Sequence, residues 1–152
     1  EELGVAPERI DRLDMPPALE NKIFGSPPAH IYIPQMLKYA EDLLTIINST
    51  GFCIRTPVLH SLGPAFFARA LNIVTGSNFT AESLLDSAAQ IWALQHRFNR
   101  QEGETEDEYR FPARFYREPL PRNGGEPHPP LSPENVQKVL EAYFAIRHPG
   151  KG

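Results

Sequence analysis

Cysteine occurs once in the 152 residues, at Cys53, closing the run Asn48, Ser49, Thr50, Gly51, Phe52, Cys53. A thiolate is both a nucleophile and a soft metal ligand, so three roles compete for this position. Free cysteine is most often a small buried hydrophobe, and composition alone favours that role. A nucleophile needs a base such as His60 beside it to lower the thiol pKa, and nearness along the chain does not establish nearness in space. An iron–sulfur cluster normally takes four thiolates. Cys53 therefore ligates a cluster only if the other ligands lie elsewhere.

The remaining titratable residues offer less. His30, His60, His96, His128 and His148 are scattered, and neither HExxH nor His-x-His occurs. His96 follows Trp92 by four positions on one helical pattern, where an ordinary packed or exposed histidine is expected. The acidic run Glu102, Glu104, Glu106, Asp107, Glu108 reads as a solvated face rather than a metal site. Gly51, Gly63 and Gly76 are isolated near helix boundaries, and no phosphate-cradling glycine loop is present.

The elements that must carry these residues are helical. Apolar positions Met36, Leu37, Ala40, Leu43, Leu44 and Ile47 recur at three and four, predicting a helix from Ile33 to Ile47 with Pro34 in its first turn. Asn48 to Gly51 should stop it, since glycine accepts the left-handed conformation of a helix end. Cys53 thus stands just past a backbone-defined turn. A second helix runs from Pro64 to Gly76. A third starts behind the N-cap Thr80 and keeps Leu84, Leu85, Ala88, Ile91, Trp92, Gln95 and Phe98 on one face as far as Arg100.

Proline density predicts irregular structure elsewhere. The first thirty residues read as one short helix over Ala6 to Leu13 followed by irregular chain. Residues 101–131 read as a long ordered arm anchored by Phe111, Phe115, Tyr116 and Leu120. Ser132 as N-cap and Pro133 at the first position then open a last helix carrying Val136, Val139, Leu140, Tyr143 and Phe144, with a frayed tail from His148. The expected fold is all-α: a multi-helix orthogonal or antiparallel bundle with a long proline-rich ordered arm, taken as one domain over residues 1–152.

A net charge of −4 and a pI near 5.7, without a Lys/Arg cluster, argue against nucleic acid as a partner. A lone cysteine excludes an internal disulfide framework and fits a reducing compartment. No apolar run approaches the roughly 20 residues that cross a bilayer, so the reading is cytoplasmic with no membrane partner. The chain opens at Glu1 rather than at methionine, which fits a piece of a longer protein and equally fits processing.

The stretch Leu94 to Pro121 contains RFNRQEG (97–103), FPAR (111–114) and EPLP (118–121). It resembles the RFN-x-REG, LP-x-R and PLP sequence near the C-terminus of the tungsten-containing aldehyde:ferredoxin oxidoreductase family. NSTGFC (48–53) resembles that family's DxxGLC motif, and Leu3 and Gly4 fall where a short LG element precedes its last domain. The two motifs together at this separation are specific, and the resemblance spans nearly the whole chain.

The resemblance implies a larger oxidoreductase that holds a tungsten or molybdenum bis-pterin and a 4Fe-4S cluster. Its reaction is the two-electron oxidation of an aldehyde to a carboxylic acid, with electrons leaving through the cluster to ferredoxin. Cys53 is then the fourth cluster ligand, completed by cysteines of N-terminal domains of the same enzyme. Asn48, Gly51 and Phe52 fall at pterin-contacting positions, and no catalytic residue is assigned within the chain. Asn48 stands where the family usually has aspartate, so its one acceptor oxygen lacks the charge-assisted part of the bond. Phe52 for leucine keeps an apolar residue. Arg97, Arg100 and Glu102 are expected to tie the end of the long helix to the arm. The fragment alone is expected to be inactive and without bound cofactor, with a homodimer as the candidate assembly. A free-standing helical interaction module that has lost the cofactor is the competing reading.

Overall fold

The structure is a computed structural model describing residues 14–25, 30–53, 62–122 and 124–148. The expected helix over Ala6 to Leu13 and the Leu3–Gly4 element lie outside them. Five α-helices and no strand appear among the described residues: α1 Pro17–Phe24, α2 Ile33–Ser49, α3 Pro64–Thr75, α4 Ala81–Gln101 and α5 Pro133–Arg147. The fold is all-α, as the periodicity predicts. No helix among these residues is long and apolar enough to cross a membrane.

The chain forms two compact units, residues 1–95 and residues 96–152, with the boundary inside α4. The first holds a core built from Met15, Ile23, Phe24, Tyr39, Leu43, Ile46, Ile47, Phe67, Ala68, Leu84, Leu85 and Ala88. Within it α2 contacts both α1 and α3. On α2 the buried positions Tyr39, Asp42, Leu43, Ile46 and Ile47 follow the helical repeat, which turns one face inward. Asp42 is the polar member of that face; it is 1% exposed, and Lys38 Nζ reaches its Oδ2 at 2.6 Å.

α1 corrects the expectation of irregular chain after residue 13. Pro17 occupies its first turn, where a missing N–H costs nothing, and Leu19 and Glu20 donate to the Pro16 carbonyl at 2.9 and 3.0 Å. Ile23 and Phe24 then enter the core. Proline density misled because these prolines start a helix instead of breaking one.

α3 ends at Gly76, whose φ of 70° is left-handed. Asn72 clamps the chain behind it: its Nδ2 donates to the Phe79 carbonyl at 2.9 Å and its Oδ1 accepts from the Phe79 amide at 2.7 Å. α4 opens with a reciprocal cap, Ser83 N donating to Thr80 Oγ1 at 3.1 Å and Thr80 N to Ser83 Oγ at 2.9 Å. The apolar face of α4 is buried only in its first half. Leu84, Leu85 and Ala88 are core residues, Ile91 and Trp92 are half-buried, and Phe98 is exposed.

In the second unit the proline-rich arm is ordered by two single turns of 3-10 helix, Glu106–Tyr109 and Ala113–Tyr116. A two-bond bridge between Leu120 and His128 closes its loop, and Leu131 N donates to the Phe115 carbonyl at 2.8 Å. Of the expected anchors, Phe115, Tyr116 and Leu120 are half-buried and Phe111 is exposed. Ser132 Oγ caps α5 by accepting from Asn135 N at 3.3 Å. Tyr143 and Arg147 are buried on α5, with Arg147 Nε donating to the Tyr143 hydroxyl at 3.3 Å.

Candidate functional site

The segment that delivers Cys53 is a helix end of defined type. Thr50 closes α2, Gly51 follows in the left-handed conformation at φ 76°, and two backbone bonds cross the turn. Phe52 N donates to the Ile47 carbonyl at 3.2 Å, and Gly51 N to the Asn48 carbonyl at 3.3 Å. This is the Schellman pattern, which satisfies carbonyls that the helix would otherwise leave open. Thr50 Oγ1 adds bonds to the Ile46 and Ile47 carbonyls at 2.9 and 3.1 Å. The last turn thus fixes the direction in which residues 52 and 53 leave.

Phe52 then packs edge-on against two rings of α3, Phe67 at 5.3 Å and Phe66 at 6.3 Å between centroids. Phe67 is fully buried whereas Phe52 remains 42% exposed, so the cluster runs from the core to the surface beside Cys53. The thiol itself is exposed. Cys53 is therefore not packed into the core that the described residues form. His60, the base of the nucleophile reading, lies outside the described residues.

Asn48, Gly51, Phe52 and Cys53 fall on one short stretch and all are exposed. No hydrogen bond engages the Asn48 side chain among the described residues, which leaves its amide available. A Cβ built on Gly51 would meet nothing within 4 Å, so the turn presents open backbone. Among the described residues no group of three His, Cys, Asp or Glu side chains converges on a metal-sized space. A cluster at Cys53 would draw its other ligands from outside these residues, and an exposed thiol on a rigid turn fits one ligand of such a shared site.

RFNRQEG behaves differently from its expectation. Arg97, Arg100 and Glu102 are exposed at the end of α4, and among the described residues no side-chain hydrogen bond or ion pair ties them to the arm. His96 and Glu104 make the link instead. His96 Nδ1 stands 3.3 Å from Glu104 Oε2 and 3.4 Å from the Tyr109 hydroxyl, joining α4 to the first 3-10 turn. The Nδ1–Oε2 approach lies within ion-pair range yet off the hydrogen-bond direction, so Oε2 is buried without a hydrogen-bond partner. Glu104 thereby leaves the solvated acidic face expected for residues 102–108. The chain-level signal was Gly103, which lets the backbone reverse, with Glu104 N donating to the Asn99 carbonyl at 3.0 Å.

Residues 5–148 match the family model described as aldehyde ferredoxin oxidoreductase, domains 2 & 3. The chain belongs to the aldehyde ferredoxin oxidoreductase family. No curated protein and no solved structure matches it. Family membership covers both units and both motifs, NSTGFC and RFNRQEG, and it makes an oxidoreductase of more than one domain the setting in which the Cys53 turn is to be read.

Proposed function

We propose that residues 1–152 are the C-terminal part of a larger aldehyde:ferredoxin oxidoreductase, and that Cys53 is one of four thiolate ligands of its 4Fe-4S cluster. The observation that carries this reading is the exposed thiol directly behind a Schellman-closed helix end, in a chain of this family. When bound, a tungsten or molybdenum pterin pair supplies the two-electron chemistry of an aldehyde going to a carboxylic acid, and the cluster supplies a one-electron exit to ferredoxin.

The chain's own residues do three things in this account. Cys53 gives up its proton and holds iron as a thiolate, at a position that the Phe52–Ile47 bond fixes. Phe52, backed by Phe66 and Phe67, gives the turn an apolar residue next to Cys53 in the chain, and apolar surroundings help set a cluster's potential. Asn48, through its neutral amide, and the carbonyls of Gly51 and Phe52, whose N–H groups are engaged within the turn, would bond to the polar edge of the pterin. The other cluster cysteines belong to N-terminal domains of the same enzyme. A cytoplasmic location goes with this reading, since free thiolates persist in reducing compartments.

Reading the coding region upstream of Glu1 tests the proposal. Three cysteines at cluster spacing are expected there. A native start at or near residue 1 would instead favour a free-standing helical module without the cofactor.

A further inference from the structure

The second unit contains a cavity of about 320 Å³ that the proposed cluster chemistry does not use. It lies between the end of α4, the first 3-10 turn and α5, and His96, Arg100, Tyr109, Glu141, Phe144 and His148 line it. That volume is at the small end of the about 300–1,000 Å³ typical of ligand cavities, enough for a single-ring molecule.

Its walls are π-faces. The His148 ring lies parallel to Phe144, 3° between planes at 6.3 Å, and stands 5.1 Å from His96. Tyr109 meets Phe144 edge-on at 5.0 Å. Glu104 and the Tyr109 hydroxyl both lie against Nδ1 of His96 and hold that ring in place. Such a set of faces receives a flat ring by offset or edge stacking.

Arg100 offers the charge that would fix the ligand's sign. Among the described residues, Glu104 Oε2 stands 3.3 Å from His96 Nδ1, and Glu141, which lines the cavity, accepts from Gln137 Nε2 at 3.0 Å. Arg100 lines the same space and, among the described residues, has no carboxylate partner. A planar guanidinium at the mouth of an aromatic cavity suits a carboxylate, which it can take with two parallel bonds. We propose that this cavity binds a small aromatic carboxylate, its ring against Phe144 and the two imidazoles and its charge on Arg100. The inference stands independently of the cluster reading.

Benzoate is the probe, titrated into the full chain while the imidazole C–H resonances of His96 and His148 are followed by NMR. Saturable shifts of both histidines are expected, with a dissociation constant on the order of 1 mM for so small a ligand. Acetate, which lacks the ring, and benzyl alcohol, which lacks the charge, should each bind about tenfold more weakly. Arg100→Gln, at an exposed position that leaves the fold intact, should weaken benzoate about tenfold and benzyl alcohol not at all. Phe144→Leu should weaken benzoate while leaving acetate unchanged. The proposal is overturned if benzoate produces no saturable shift up to tens of millimolar (about fifty times the expected constant). It is equally overturned if benzylammonium binds as well as benzoate, or if Arg100→Gln leaves benzoate affinity unchanged.

Discussion

The Phe52 amide donates to the Ile47 carbonyl across 3.2 Å, and through this bond the end of α2 decides where Cys53 stands. The bond fixes the backbone as far as Phe52, one residue before Cys53, and it rests on the left-handed Gly51.

Gly51→Ala should therefore destabilise the fold by about 1–2 kcal/mol. Because a Cβ there meets no neighbour within 4 Å, the cost is the left-handed backbone at φ 76° alone. Gly51→Asn should cost less, since asparagine tolerates that region. Denaturant unfolding of both variants checks the order; equal losses would mean that crowding is responsible.

Phe67→Ala should cost about 3–5 kcal/mol, the usual range for deleting a buried ring. It also removes the nearer edge contact of Phe52, 5.3 Å away, so alkylation of Cys53 under native conditions should speed up. Unchanged alkylation in a destabilised variant would show that the backbone bond holds the segment without the ring.

The Thr80 and Ser83 hydroxyls each accept from the other's amide, so their losses should not add. Thr80→Ala alone should cost about 1 kcal/mol. The double alanine variant should cost less than the sum of the two single changes, as a double-mutant cycle in denaturant will show.

Alkaline pH should reveal Tyr39. Burial, assisted by the negative charge of Asp14, holds its hydroxyl well above the ordinary phenol value of 10.0. The unfolded chain therefore ionises first as pH rises. The stability tied to neutral Tyr39 is complete below pH 10.0 and is lost progressively above it. Tyr39→Phe should flatten the fall in unfolding free energy between about pH 9.5 and 11.5 relative to the parent chain; parallel curves would contradict the shift.

Much of this was readable from residue spacing. α2 follows from Met36 to Ile47, and its end follows from Gly51; Thr80 and Ser132 mark the two caps that form. α1 was hidden because Pro16 and Pro17 punctuate a chain equally well whether they break a helix or start one. The exposure of Cys53 was not legible, since burial depends on which helix faces meet, and a lone cysteine carries no pattern of its own. The His96–Glu104 contact was not legible for a related reason. Glu104 lies beyond the end of α4, so no helical spacing links it to His96, and the two meet because the chain reverses at Gly103.

The most direct test of the central claim is the iron content and cluster EPR signal of the full-length enzyme carrying Cys53→Ala. If Cys53 is a cluster ligand, iron per protein falls or the reduced-cluster signal changes, while the helical content of the chain stays that of the parent. An unaltered iron content with an unaltered EPR signal would contradict the account and leave Cys53 as an exposed thiol without a metal role.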